Sequence, residues 1–251
     1  MKQLLRFLFT CVTWLVITAL VVEGLCFGIV IVSNYIVYGQ KYDGSKADYD
    51  PYALFLNASG HRPTSTSETP AAPDDTLIWI FGGSTTRGQT PHDERTIPSL
   101  LSVHLNQQGE PHRKVCNWGV NSFNSLLEVK YLQKLLIESD ERPKVIVFYD
   151  GANECAYYAQ HRTADAHHGY LKVKALIESH RRSWLGLLKP LHAAILASFT
   201  KEVWDKAHQV FLPLDPASPE FQRDMDAIAR RYDYAWRTAQ DLGAEFLLFW
   251  Q

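Results

Sequence analysis

Five apolar residues, Leu77-Ile78-Trp79-Ile80-Phe81, run straight into Gly82-Gly83 and then Ser84-Thr85-Thr86-Arg87-Gly88. A short apolar run bounded by glycine reads as a buried strand, and two glycines let the backbone turn sharply without a Cβ clash. The serine then leaves the strand's carboxyl end, where open α/β sheets bind their ligands. A serine presented in this way is a candidate nucleophile. A Gly-Ser loop without chemistry is the alternative that this segment alone leaves open.

Two later segments repeat the layout, each with small or amide-bearing residues just after a strand-like run. One is Lys114-Val115-Cys116-Asn117-Trp118-Gly119-Val120-Asn121-Ser122-Phe123-Asn124-Ser125. The other is Lys144-Val145-Ile146-Val147-Phe148-Tyr149-Asp150-Gly151-Ala152-Asn153-Glu154. Arg95 to Gln108 and Phe123 to Ser139 read as helices between them. In the second helix Leu126, Leu127, Tyr131, Leu132, Leu135 and Leu136 fall near helical spacing, which assigns Glu128, Lys130, Lys134 and Glu138 to the other faces. Strand, helix, strand, helix, strand implies parallel βαβ units with right-handed crossovers, so the three loops meet on one sheet edge. Acyl transfer needs a nucleophile and donors aimed at the developing oxyanion, which backbone N–H groups and an Asn amide can supply.

These residues resemble three of the four sequence blocks of the SGNH hydrolases, the GDSL-like esterases and lipases, over about Thr76 to Asn153. The resemblance implies an α/β fold: a flavodoxin-like, three-layer α/β/α domain with a parallel sheet. By this likeness Ser84 is the catalytic nucleophile of block I, with Gly83 standing where the GDSL signature carries Asp. Membrane-anchored relatives share that Gly-Gly-Ser-Thr form. Asn117 to Ser122 is similar to block II, whose backbone oxyanion donor, usually a glycine, falls on Ser122. Gly151-Ala152-Asn153-Glu154 resembles the Gly-x-Asn-Asp of block III, which makes Asn153 the side-chain oxyanion donor and sets Glu154 in place of Asp. Gly83 and Gly119 are the supporting positions.

The fourth block, an Asp-x-x-His that supplies the general base, has no match. Asp165…His168 and Asp205…His208 have the spacing, but they precede the helix and strand read over Phe221 to Trp250, whereas the family's pair follows the last strand. Glu245-Phe246-Leu247-Leu248-Phe249-Trp250 reads as a fourth core strand. The resemblance therefore implies that the chain is truncated and that the base lies beyond Gln251.

Phe7 to Val22 is uncharged and apolar, and Gly24 to Tyr38 continues that character after Glu23. About 20 apolar residues span a bilayer, and a cleavable signal peptide would need a core of about 7–15 residues and a small-x-small exit. Residues 1–38 therefore read as an uncleaved transmembrane anchor. A carboxylate costs roughly 2.5–3.5 kcal/mol at the bilayer centre, which places Glu23 near an interface. Lys2 and Arg6 precede the span, so the positive-inside tendency leaves the remainder outside the cytoplasm, in the periplasm of a bacterium. Residues 39–75, including Pro63-Thr64-Ser65-Thr66-Ser67 and Pro70-Ala71-Ala72-Pro73, are polar and turn-forming and read as a linker. Residues 76–251 are then the hydrolase-like domain. Within it Trp184 to Leu214, interrupted by Pro190 and Pro213, reads as packed helix, with a cap over the site and a membrane-facing patch as alternatives.

At 251 residues, 46% apolar and 21% charged, the chain is globular, and its net charge of −2 makes no electrostatic case for nucleic acid. Cys116 and Cys155 flank strands that the family's order separates by the Ser84 strand, about 10 Å by strand spacing and too far to bridge. No Cys or His spacing resembles a zinc site, and no metal or cofactor is expected. The expected function is a membrane-anchored serine esterase acting on ester-linked acyl groups outside the cytoplasm. Cell-surface glycan or lipid is the substrate class that anchor and resemblance imply. An acyltransferase would use the same Ser84, and an inactive glycan-binding or scaffolding member the same fold. A phosphate binder would also put Gly82-Gly83-Ser84-Thr85 at a helix start, but the chain lacks Gly-x-x-x-x-Gly-Lys-[Ser/Thr] and Gly-x-Gly-x-x-Gly.

Overall fold

The computed structural model describes residues 2–38, 47–57, 60–66, 75–88, 92–107, 112–182, 186, 189–208 and 213–251. The chain begins with α1 (Lys2–Tyr38) and the strands β1 (Ala47–Asp50) and β2 (Leu54–Asn57). Then come β3 (Thr76–Gly82), α2 (Ser84–Arg87), α3 (Ile97–Asn106), β4 (Arg113–Asn117), α4 (Ser125–Glu138), β5 (Val145–Asp150) and α5 (Ala152–His161). Helices α6 (Tyr170–Arg182), α7 (Lys189–Ala197), α8 (Phe199–Ala207) and α9 (Pro219–Asp241) lead to β6 (Glu245–Trp250).

Four strands form one parallel sheet in the order β4, β3, β5, β6. Ile80 is in register with both Asn117, the last residue of β4, and Val147, three residues before the end of β5, so the three strands end close to one another. Strand β3 lies between β4 and β5. The chain leaves β3 toward β4 on one side and later returns to β5 on the other, which makes the carboxyl end of β3 a topological switch point.

Side chains alternate across a strand, so each face of β3 meets its own layer. Leu77, Trp79 and Phe81 join Ile146 and Phe148 in the larger core, closed by α4 and α9. Ile78 and Ile80 join Val115 and Val147 on the other face, under Leu101 and Leu105 of α3. Burial on both faces is why these strands are almost continuously apolar. Helix α9 starts at Ser218, whose hydroxyl accepts from the Phe221 N–H at 3.2 Å, and has Pro219 in its first turn. Its buried stripe is Ile228, Tyr232, Ala235 and Ala239, and Gly243 at φ +67° follows its end.

One residue of α4 departs from the sequence expectation. Glu128, assigned there to a charged outer face, is 1% exposed. It precedes Tyr131 and Leu132 by three and four residues and so shares their core-facing stripe.

Part of the stretch read as a linker has regular structure. Strands β1 and β2 form an antiparallel hairpin, and Asp50 Oδ1 closes its turn by accepting from the N–H groups of Tyr52 and Ala53 at 2.9 and 2.8 Å. Burial alone would raise the Asp50 pKa, but the ion pair with Lys134 of α4 and these two N–H bonds together outweigh it and hold the carboxyl below its usual range. Residues 39–46, 58–59 and 67–74 of that stretch lie outside the described residues.

The chain divides into two compact units. The sheet unit takes residues 44–168 and 211–251, and the other takes 1–43 and 169–210, with α1, α6, α7 and α8. Helix α1 is long and apolar enough to cross a membrane, with a mean hydropathy of 2.7 in its most apolar window. Of Trp184 to Leu214, residues 184–185, 187–188 and 209–212 lie outside the described residues, and α7 and α8 account for most of the rest.

Candidate active site

Ser84 is the first residue of α2, immediately after the turn at Gly83, and is half-buried. Among the described residues its hydroxyl has no hydrogen-bond partner. The short helix behind it is pinned from two sides. Asn117 Nδ2 donates to the Thr86 carbonyl at 3.1 Å, and the Arg62 guanidinium donates to the carbonyls of Arg87 and Gly88 at 3.0 and 2.5 Å while pairing with Asp93 at 2.7 Å. A Cβ at Gly119 would collide with the Arg87 backbone, so the loop after β4 packs directly on α2.

That loop continues the parallel pairing beyond the strand ends. The Trp118 N–H donates to the Ile80 carbonyl at 2.8 Å and the Val120 N–H to that of Gly82 at 3.0 Å. Two residues on, Ser122 takes φ +66°, the left-handed region that costs an L-residue roughly 1–2 kcal/mol. This is the conformation that a glycine would adopt freely.

Helix α5 grips the same loop with three side chains. Tyr157 Oη donates to the Ser122 carbonyl at 3.0 Å, Asn153 Nδ2 donates to the Phe123 carbonyl at 2.5 Å, and Glu154 Oε1 accepts from the Ser125 N–H at 2.5 Å. The other Glu154 oxygen accepts from the Gly151 N–H at 3.2 Å, so one carboxylate ties the start of α4 to the start of α5. Gly83 closes the arrangement. A Cβ there would lie 2.5 Å from Asn153 Nδ2 and 3.2 Å from the Phe123 carbonyl oxygen. The Asn153 amide therefore rests against the residue that precedes Ser84, and the loop bearing Ser122 is bonded to that amide. An Asn amide has two N–H groups, and the bond to Phe123 uses one.

Behind these loops three carboxyls crowd together. Glu154 is the one of the three that accepts from two backbone N–H groups. Burial, followed by the neighbouring Asp150 and Glu154, drives the Glu128 carboxyl well above the ordinary range. Burial and the Glu154 charge likewise raise Asp150, to about 7. The Glu128 carboxyl faces that of Asp150, although its oxygens reach no formed hydrogen bond among the described residues. Burial thus raises both Glu128 and Asp150, and each of these carboxyls bears on the titration of the other.

The two Asp-x-x-His spacings do not lead to their histidines. Asp165 pairs with Arg231 at 3.2 Å and Asp205 pairs with Lys201. His208 stacks on Trp204, with ring centroids 3.9 Å apart. Among the described residues no group of three or more His, Cys, Asp or Glu is arranged to hold a metal ion. Three contributors escaped the sequence reading. Arg62 lay in a polar stretch without periodicity, and Glu128 was classed by its charge instead of its position. Tyr157 was detectable, since it follows Asn153 by four residues and so shares its helix face.

No family model and no curated protein matches the chain. Among solved structures it is similar to AlinE4, described as an esterase of the SGNH-hydrolase family, at 18% identity and a TM-score of 0.32. It is also similar to two variants of that esterase at 18% and 17% identity, again with a TM-score of 0.32. Each match covers 70% of this chain and 77% of the other. A likeness of this degree assigns no activity to the chain.

Proposed function

We propose that the protein is a serine hydrolase of ester-linked acyl groups, with Ser84 as nucleophile and the Ser122 N–H and Asn153 amide as oxyanion donors. The observation that carries this reading is the Asn153 amide, seated between Gly83 and the Phe123 carbonyl at the switch point of the sheet. A carbonyl carbon attacked by Ser84 would develop its negative oxygen beside the remaining Asn153 N–H, where a preformed donor acts most strongly. Helix α1 anchors the domain in a membrane, with the site outside the cytoplasm, and acyl groups on cell-surface glycans or lipids are the substrate class.

The test is covalent labelling by a fluorophosphonate probe together with turnover of a p-nitrophenyl ester. Ser84→Ala should abolish the labelling and reduce turnover by orders of magnitude, whereas undiminished labelling would place the nucleophile elsewhere. A second reading, a non-catalytic binder of acylated ligands, is favoured by the cationic partners of Asp165 and Asp205, which leave the proton acceptor for Ser84 unassigned. A wild-type protein that binds an acylated glycan but takes no label would support that reading.

A further inference from the structure

Residues 2–22 of α1 are exposed at every position. At 1.5 Å per residue they make about 31 Å of helix, close to the roughly 30 Å hydrocarbon thickness of a bilayer. The pattern changes at Glu23. From there positions 23, 26, 30, 31 and 34 are shielded at helical spacing, and Val30 is 2% exposed. Helix α8 packs on this half. The Phe27 and Phe199 rings lie 4.8 Å apart, and the Glu23 carboxylate accepts from the N–H groups of Phe199 and Thr200 at 2.7 and 3.0 Å and from the Thr200 hydroxyl at 2.7 Å. Glu23 thus satisfies the first N–H groups of α8, at the helix end that favours negative charge.

The helices joined to α1 in this way have an unusual surface. On α7, Leu191 and Ile195 stand one turn apart and are 59% and 54% exposed, and Trp204 on α8 is 60% exposed. Residues 170–207 contain seven Lys and Arg against three Asp and Glu, in a chain of net charge −2. Glu202 and Asp205 already pair within α8, with Lys206 and Lys201. The basic excess therefore falls on α6, α7 and their junction.

We infer that α6, α7 and α8 form a layer lying in the headgroup region of the bilayer, docked on α1 at the point where it leaves the hydrocarbon. The inference rests on the reading of α1 as a membrane anchor. Three observations select a lipid surface as the partner of these exposed apolar side chains. The layer is bonded to the residue that directly follows the exposed span. Its exposed apolar side chains on α7 and α8 include Leu191, Ile195 and Trp204, of the kinds that interfacial helices bury at the headgroup boundary. Its surplus of Lys and Arg complements anionic headgroups, and their long stems let the charges remain in water. Glu23 is the joint: an isolated carboxylate in an apolar helix is tolerated because a helix start is fastened to it.

The experiment places single nitroxide labels at Leu15, Ile195 and Asp241 of the full chain, with Cys11, Cys26 and Cys155 replaced by serine, in phosphatidylcholine vesicles with and without phosphatidylglycerol. Oxygen, which partitions into lipid, and a water-soluble nickel chelate then compete to relax each label. Leu15 and Ile195 should be relaxed mainly by oxygen, Asp241 mainly by nickel, and phosphatidylglycerol should deepen Ile195. A nickel-dominated Ile195 beside an oxygen-dominated Leu15 would overturn the layer and leave the anchor standing. A nickel-dominated Leu15 would overturn both. Glu23→Ala should sharpen the spectrum of a label at Asp205, and Glu23→Asp should restore its breadth; an unchanged spectrum in Glu23→Ala would remove Glu23 from the joint.

Discussion

Replacing Asp150 by asparagine tests the electrostatics behind the site. Asp150 is 3% exposed and lies directly before Gly151, whose turn starts the helix that presents Asn153. Burial and the Glu154 charge raise its pKa from 3.8 to about 7. Three pKa units at 1.36 kcal/mol each amount to about 4 kcal/mol. The sign follows from which state holds the proton. Below about pH 4 both the folded and unfolded chains hold it, and the site imposes no penalty. Between about pH 4 and 7 the unfolded chain releases it first, so stability falls as pH rises, and above about pH 7 the loss is complete. Glu128 is raised in the same direction and adds to the slope.

Asp150→Asn keeps the size and the carbonyl oxygen but cannot ionise. Denaturant unfolding of the detergent-solubilised protein, followed by circular dichroism, should show the variant gaining on the wild type as pH rises from about 4 to 8. The gain should reach up to about 4 kcal/mol, with near equality at the acidic end. A wild-type minus variant difference that stays flat across this range would refute the raised pKa of Asp150.

Substitutions at two further positions test the proposed oxyanion donors. Ser122→Gly should leave turnover intact and stability within about 1 kcal/mol, since it keeps the N–H and relieves φ +66°, whereas Ser122→Val should lose roughly 2 kcal/mol. A hundredfold loss of turnover in Ser122→Gly would show that the hydroxyl acts. Gly83→Ala forces Asn153 away from its place 2.5 Å from the new Cβ, so ester turnover should fall by roughly 10²-fold, the scale of losing one oxyanion donor, with KM little changed. Unimpaired turnover in that variant would mean that Asn153 does not act from this position.

The parallel sheet and the convergence of its loops were legible because they depend on local pattern. An apolar run followed by Gly or Asn identifies a strand and its loop without knowledge of any distant residue, and β3, β4 and β5 follow that pattern. The position of β3 between the strand that holds Cys116 and the strand that precedes Cys155 was expected only from the family's strand order, and the sheet has that order. What escaped depends on partners remote in sequence. Arg62 looks like any polar-stretch arginine until Arg87 and Gly88, some 25 residues on, supply the carbonyls it holds.

Two glutamates make the point more sharply, because each stands within an apolar helix stripe and so announces itself. Glu128 interrupts the core face of α4, and Glu23 interrupts α1. A charge in such a place needs either a partner or a proton. The two sites take opposite routes. Glu23 finds the start of α8, 176 residues away, and keeps its charge in use as a cap. Glu128 meets two more carboxyls and is held protonated by burial and their proximity. The anomaly is visible in the sequence both times, but its resolution is a matter of tertiary contact. A glutamate inside an apolar stripe therefore marks where a distant element docks or where a proton is stored, and only the fold decides between them.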